Sequence, residues 1–135
     1  MKNSYTIFGR GFVGTNVEQF LKKTKCKIFL PKKGKYKFNK NLHNIIYCIG
    51  SDNWIKDPKG SFEANLGVIP KIIFNNKFSS FTLISTSRLY LGNTKKNTKE
   101  NNLIQINPNI RNFFFNSLKL SAESLCLSLP NKRIK

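Results

Sequence analysis

The first thirty residues constrain the fold most, because a strand-like run, a glycine-rich turn and a helix-like run follow one another without a break. The stretch "SYTIF" (residues 4–8) is apolar and β-prone, and "GRGFVG" follows it directly. Apolar residues then recur at helical spacing from Val13 to Leu21, and "CKIFL" (residues 26–30) predicts a second strand that ends at Pro31. The sequence therefore predicts a βαβ unit with glycines in its first turn.

The glycines of this turn have the GxGxxG spacing that is typical of dinucleotide-binding βαβ units. Gly9 would permit the tight turn, Gly11 would let a pyrophosphate approach the backbone, and Gly14 would let the helix pack close to the strand. The alternative is a plain βα turn with incidental glycines, in which Arg10 faces solvent. We expect the whole turn to contact a dinucleotide through Gly9, Arg10, Gly11, Phe12, Val13 and Gly14.

The end of the second strand reads "FLPKKGK" and has no acidic residue. In many NAD-binding folds an Asp or Glu at this point holds the ribose 2′-hydroxyl. Lys32 and Lys33 would instead attract a 2′-phosphate, which favours NADP over NAD, although lysine is common throughout this loop.

The remaining chain continues to alternate strand and helix patterns. "NIIYCIG" (44–50) and "SFTLIS" (80–85) predict two further strands. A helix is predicted to start at Asp57 and Pro58, with apolar Phe62, Leu66, Ile69 and Ile73 on one face and Pro70 kinking it or ending its first half.

The last helix is predicted with Asn107 as its cap and Pro108 in its first turn. Its core face is expected to carry Leu118, Leu125 and Leu129. The alternation predicts one α/β domain over residues 1–135, built on a doubly wound parallel sheet of Rossmann-like type. The gap from Pro31 to His43 is too short for a helix and a strand, so one peripheral unit is missing or reduced to something like "YKF".

Composition adds a strong positive charge, with 24 basic and 6 acidic residues and a net charge of +18. Nine lysines and no acid lie between Lys22 and Lys40, interleaved with Tyr36 and Phe38. Such a strip is compatible with nucleic-acid binding. It is also what a genome of low G+C content would produce, because Lys, Asn, Ile and Phe all have codons made only of A and T.

The three cysteines are far apart and form no CxxC pair, and His43 has no Cys or His near it in sequence. We therefore expect no disulfide framework and no metal site. The sequence shows no long apolar run and no signal peptide, so we expect a cytoplasmic protein without a membrane span.

The order of these landmarks resembles the extended short-chain dehydrogenase/reductases, the NAD-dependent epimerase/dehydratase family that modifies nucleotide sugars. "IFGRGFVG" resembles its glycine turn, and "NIIYCIG" its strand beside the cofactor, which implies contacts from Cys48, Ile49 and Gly50. "EANLG" with Asn65, "LISTSRLY" and "FNSLKLSAESL" resemble its later motifs. The resemblance implies that Lys119 holds the nicotinamide ribose and that Thr86 hydrogen-bonds the reacting oxygen.

The departures from the family pattern leave the function open. The turn is GxGxxG where the family has GxxGxxG, and Phe115 occupies the position of the catalytic tyrosine. The chain also ends after this helix, so we expect a truncated form without the C-terminal substrate domain, prone to self-association. Thr86 could simply satisfy a turn, and Lys119 could be a solvated helix lysine.

Three functions follow as alternatives. The chain is the NAD(P)-binding part of an epimerase, dehydratase or reductase acting on a nucleotide sugar, a non-catalytic dinucleotide-binding module, or a basic nucleic-acid-binding protein.

Overall fold

The computed structural model describes residues 3–90, 99 and 101–129. Their core is a four-stranded, fully parallel sheet in the order β2-β1-β3-β4. This confirms the predicted α/β class with a parallel Rossmann-like sheet. The strands are β1 (Ser4–Phe8), β2 (Lys27–Phe29), β3 (Asn44–Tyr47) and β4 (Ser80–Leu83), so the last three are shorter than the apolar runs that predicted them.

Helical segments form the crossovers from β1 to β2 and from β3 to β4, whereas the crossover from β2 to β3 contains no helix. A π-helical turn at Glu63–Gly67 joins two of the helices, and a 3₁₀ turn at Ser87–Tyr90 follows the last strand. The helices are α1 (Phe12–Lys23), α2 (Pro58–Phe62), α3 (Val68–Ile73) and α4 (Phe113–Ser128).

The hydrophobic core lies between the sheet and the helices that follow β3 and β4. Tyr47 and Phe81, on adjacent strands, are fully buried with ring centroids 6.0 Å apart. The Tyr47 hydroxyl donates to the carbonyl oxygen of Ala64 at 2.7 Å, so the ring also ties the sheet to the π turn. Its polar end is thereby satisfied in the interior.

Pro70 does not end the helical segment, which continues to Ile73. The π turn at Glu63–Gly67 instead lies directly before α3, which contains Pro70. Proline has no N–H to donate to the Leu66 carbonyl, and its ring crowds the preceding turn, so a wider turn accommodates both effects. The extra residue rotates the earlier part of the helix, which leaves Phe62 at 43% exposure while Ile69 is fully buried. The predicted single apolar face is therefore wrong at Phe62.

The start of the last helix differs from the sequence prediction. α4 begins at Phe113, five residues after Pro108. The Asn107 side chain accepts a hydrogen bond from the Asn109 N–H at 3.0 Å, and its carbonyl accepts one from the Ile110 N–H at 3.1 Å. Asn107 therefore closes a separate turn, because its side chain competes locally with helix formation.

The interior face of α4 is formed mainly by Leu118, Ala122 and Cys126, which follow one another at intervals of four. The predicted Leu125 and Leu129 are partly buried at its margin.

The chain between β2 and β3 contains no strand, so "YKF" is not a reduced β-unit. Asn76 holds this loop in place. Its side-chain oxygen accepts from the Phe38 N–H at 2.8 Å, and its Nδ2 donates to the Tyr36 carbonyl at 2.7 Å. The Phe38 ring packs edge-on against Phe29 of β2, with centroids 5.3 Å apart, and covers the apolar face of the outer strand.

Candidate functional site

A cleft of about 340 Å³ lies where the carboxyl ends of β1, β2 and β3 meet. β1 is central, with the chain crossing to β2 on one side and to β3 on the other, so this is the topological switch point of the sheet. Ligands of open parallel sheets bind at this place. The glycine turn, the start of the loop after β2 and the end of β3 line the cleft, through Gly9, Arg10, Gly11, Lys32, Lys33, Cys48, Ile49 and Gly50 among others.

Each glycine of the turn has a distinct steric environment. Gly9 has a φ of +99°, and a Cβ there would lie 2.7 Å from the backbone of Cys48 and Ile49. A Cβ on Gly14 would overlap the Gly9 carbonyl, because α1 packs directly onto the turn. A Cβ on Gly11 would meet nothing within 4 Å, so its open face is available to a ligand.

The N-terminus of α1 opens on the same cleft. Gly11 is its N-cap, no side chain of the described residues caps it, and its first turn carries no acid. Unpaired N–H groups and the positive end of the helix dipole make such a terminus favourable for an anion.

Arg10 lies beside this turn, and its guanidinium lies 4.0 Å from the carboxylate of Glu18 in α1. Glu18 also forms a 2.6 Å ion pair with Lys22. The hydrogen bond from Lys22 lowers the pKa of the Glu18 carboxyl and keeps it charged. Arg10 lines the cleft, and its side chain is largely exposed to solvent. Phe12 and Val13 lie outside the lining, and the Phe12 side chain is 87% exposed.

The wall opposite the glycine turn is basic. Lys32 and Lys33 line it together with Pro31 and Tyr36, and no acidic side chain is among the lining residues. The cleft is therefore suited to a ligand with negative charge at two places, the glycine turn and this wall.

A second group of candidate residues surrounds Gly50, at the end of β3. A Cβ on Gly50 would lie 3.4 Å from the Asn65 Oδ1 and 3.7 Å from the Lys119 Nζ, so both side chains reach the edge of the cleft. Lys119 is only 6% exposed, and its ammonium donates to the Ile84 carbonyl at 3.4 Å. Burial lowers the pKa of Lys119, and the carboxylate of Glu123 partly offsets this.

Asn65 is fully buried within the π turn. Its Nδ2 donates to the carbonyl oxygens of Ser51 at 2.6 Å and Ser61 at 2.9 Å, whereas its Oδ1 has no partner among the described residues. A buried acceptor without a partner is costly, so it marks a position where a ligand or water would be bound favourably. π turns within α-helices are frequently found at functional sites.

Phe115, at the position of the expected tyrosine, is 6% exposed and lies under Trp54. The two ring centroids are 5.1 Å apart, and the Arg88 guanidinium lies 5.4 Å from the Trp54 ring and 5.7 Å from the Phe115 ring. Lys119 lies 5.9 Å from the centroid of Phe115. A small cavity of about 140 Å³ borders this stack, between Trp54, Arg88 and Asn116.

Thr86 follows β4, at the same edge of the sheet. Its Oγ1 accepts a hydrogen bond from the Arg88 N–H at 3.2 Å, so the hydroxyl takes part in the turn that leads into the 3₁₀ helix. The neighbouring Ser85 has a buried Oγ without a partner among the described residues. The structure thus gathers the candidates in two places, the cleft at the carboxyl ends of β1, β2 and β3 and the Gly50–Lys119 region next to it.

Two residues of these places were not predicted as site residues from the sequence. Glu18, whose carboxylate lies 4.0 Å from the Arg10 guanidinium, acts through a contact that no local motif indicates. Tyr36 could have been suspected only from its position after the second strand. Nowhere in the described chain do three His, Cys, Asp or Glu side chains approach closely enough to hold a metal ion, and a membrane-spanning helix is absent from the same residues.

The sheet order, the flanking helices and the glycine turn at the switch point define a Rossmann-like α/β domain. Comparison with solved structures agrees. RMD from Pseudomonas aeruginosa, solved in complex with NADPH, matches this chain with a TM-score of 0.67 and 21% sequence identity. The match covers 90% of this chain and 48% of RMD, so the chain spans about half the length of that protein. No protein-family model matches the sequence, and a search of curated proteins finds no match.

Proposed function

We propose that this chain binds NADPH in the cleft at the carboxyl ends of β1, β2 and β3. The observation that carries this proposal is the open face of Gly11 at the uncapped start of α1, opposite Lys32 and Lys33. The pyrophosphate would lie on the glycine turn, and the 2′-phosphate would lie against the two lysines. The NADPH complex of the structurally similar RMD supports the assignment.

We further propose that the domain descends from the extended short-chain dehydrogenase/reductases and corresponds to the cofactor half of an enzyme that acts on a nucleotide sugar. The support is the arrangement around Gly50, where Asn65 and Lys119 meet beside the cleft. Lys119 would hold the nicotinamide ribose, which places the reactive ring near Thr86. Epimerisation, dehydration and reduction remain open as the reaction.

Proton transfer is the step that this chain does not provide at the expected position. A phenyl ring has no exchangeable proton, and a positioned general acid or base contributes about 10²–10⁴-fold to a rate. The Trp54 ring covers Phe115, so the position is packed as a hydrophobic contact. This favours a dinucleotide-binding module without its own acid or base. Turnover of a nucleotide sugar by the isolated chain would contradict it.

Cofactor preference tests the basic wall of the cleft. We expect NADPH to bind about tenfold more tightly than NADH at low salt, equivalent to about 1.4 kcal/mol. Replacing both lysines, Lys32→Ala and Lys33→Ala, should abolish this preference, because the charges that attract the 2′-phosphate are gone. Raising the ionic strength should reduce it in the wild type, since both side chains are exposed. Titration of each cofactor, followed by its fluorescence, measures the effect.

The matched control removes two lysines that do not line the cleft, Lys56→Ala and Lys59→Ala, with the same change in net charge. This variant should keep the preference for NADPH. Equal affinities for the two cofactors in the wild type at low salt would refute the proposed role of the basic wall.

The substitution Phe115→Tyr tests whether this position still has an active-site environment. The introduced phenol would lie close to Lys119, whose ammonium is 5.9 Å from the present ring centroid. An ammonium favours phenolate, so we expect a phenol pKa below the ordinary value of about 10. Burial under Trp54 opposes this shift, and therefore the effect of removing Lys119 is the decisive comparison. Tyrosine-labelled NMR, compared with the wild type, would follow the new resonance.

In a second variant that also carries Lys119→Met, the phenol should titrate at a higher pH. The thioether keeps most of the packing volume of the lysine stem, and it removes the charge together with the hydrogen bond to the Ile84 carbonyl. If the tyrosine titrates at the same pH with and without Lys119, this part of α4 is only a packed helix. The family assignment would then lose its main support, while NADPH binding could still hold.

A further inference from the structure

Much of the positive charge of this chain lies away from the proposed cofactor cleft. The proposed cofactor cleft lies at the carboxyl ends of the strands. All four strands are parallel, so the segments that precede them lie together at the amino ends of the strands. An open groove of about 770 Å³ is found there, between the segment before β3 and the segment before β4. We call it the amino-edge groove. It is lined by residues 37–41 and 74–77, including Lys37, Lys40, Lys77, Phe74, Asn39 and Asn75.

The amino-edge groove contains three lysines and no acidic residue. The ion pairs found among the described residues use Glu18 and Glu63 and none of these lysines. No acid occurs anywhere from residue 19 to residue 51. The local potential therefore favours an anionic ligand.

An aromatic ring is available in the same groove. Phe74, which follows α3, has 64% of its surface exposed. An exposed phenyl ring in a groove that is also lined by lysines offers a face on which a planar base can stack. Lys40 lies close to a second ring, with its Nζ 3.2 Å from the centroid of Phe29.

Hydrogen bonds hold the two walls of the groove in position. The Leu42 N–H donates to the Lys77 carbonyl at 2.9 Å, and Asn76 bonds to the backbone of Phe38, Tyr36 and Ile72 at 2.7–2.8 Å. A groove that is already formed loses little conformational entropy when a ligand binds. The Phe38–Asn76 hydrogen bond joins the two walls from positions 38 residues apart in sequence, so only the tertiary fold brings them together.

We propose that the amino-edge groove binds single-stranded nucleic acid, with its lysines on successive phosphates and Phe74 stacked on a base. The proposal does not rest on NADPH binding, because the groove shares no lining residue with the proposed cofactor cleft. A single strand fits better than an anionic membrane surface, since the groove is concave and one of its walls carries the exposed Phe74 ring.

The experiment measures the anisotropy of a labelled oligothymidylate of about 12 nucleotides, a length within the range that small single-strand binding domains cover. We expect Lys37→Gln with Lys77→Gln to lower the affinity and to reduce the slope of log K against log salt by about 1.4, which is 0.7 for each lost phosphate contact. Phe74→Ala should weaken binding about tenfold without changing that slope, because stacking releases no counterions.

The matched control is Lys56→Gln with Lys59→Gln, which removes the same charge from the opposite edge of the molecule and should leave affinity and slope near those of the wild type. Saturating NADPH should not displace the oligonucleotide. Equal loss in both double variants would indicate unspecific attraction to a basic protein, and competition by NADPH would place the nucleic acid in the cofactor cleft. Either result overturns the proposal, as does binding to phosphatidylserine vesicles without binding to the oligonucleotide.

Discussion

Gly11→Val is expected to weaken NADPH binding at least a hundredfold, which corresponds to about 2.7 kcal/mol, while the protein stays folded. A Cβ at Gly11 meets no atom within 4 Å, and the backbone there is extended, with φ of −76° and ψ of −165°. Valine adopts this conformation readily. Its methyl groups would instead fill the space through which a pyrophosphate reaches the start of α1. Fluorescence titration with NADPH measures the loss.

Thermal unfolding of the same variant separates loss of the ligand site from loss of the fold. The midpoint should change by no more than about 4 °C, since the substitution adds atoms only on the open side of the turn. Unchanged NADPH affinity in a folded Gly11→Val variant would rule out the glycine turn as the pyrophosphate site. The oligothymidylate assay should give the wild-type result in this variant.

Gly14→Ala, unlike Gly11→Val, is expected to destabilise the fold, with a loss of about 3 kcal/mol in the free energy of unfolding. The added Cβ would overlap the Gly9 carbonyl oxygen, and it would lie 3.4 Å from the Cys48 Cβ. The carbonyl belongs to a turn held at a φ of +99°, so it cannot move aside without disturbing β1. Helix α1 would have to move away from the sheet. Denaturant unfolding gives the change in the free energy of unfolding.

The comparison for this variant is Gly11→Ala, which adds the same methyl group three residues earlier. Its free energy of unfolding should stay within about 1 kcal/mol of the wild type, because the methyl group meets nothing. If the two alanine variants are equally stable, the close approach of α1 to the glycine turn is not a requirement of the fold.

The fold and the outline of the cleft could be predicted because both depend on local patterns. Apolar periodicity predicted the positions of four strands, and the spacing of Gly9, Gly11 and Gly14 predicted a turn whose steric needs the structure shows. Lys32 and Lys33 follow a strand end directly, so their place at the cleft follows from topology alone. The boundaries were less accurate. Asn107 was predicted to cap the last helix but instead closes a separate turn, because a side-chain hydrogen bond competes with the helix.

The series of elements and the switch point follow from local strand, turn and helix preferences, which act between residues close in the chain. The contacts that define the candidate chemistry depend instead on the tertiary fold. It placed Trp54 over Phe115, Glu18 beside Arg10, and Asn65 and Lys119 on either side of Gly50. It also brought Lys37 and Lys77 to one groove. These pairs, apart from Arg10 and Glu18, are 15 to 69 residues apart in sequence. Their meeting depends on how the helices pack on the sheet, and that packing is set by the whole core rather than by any local pattern.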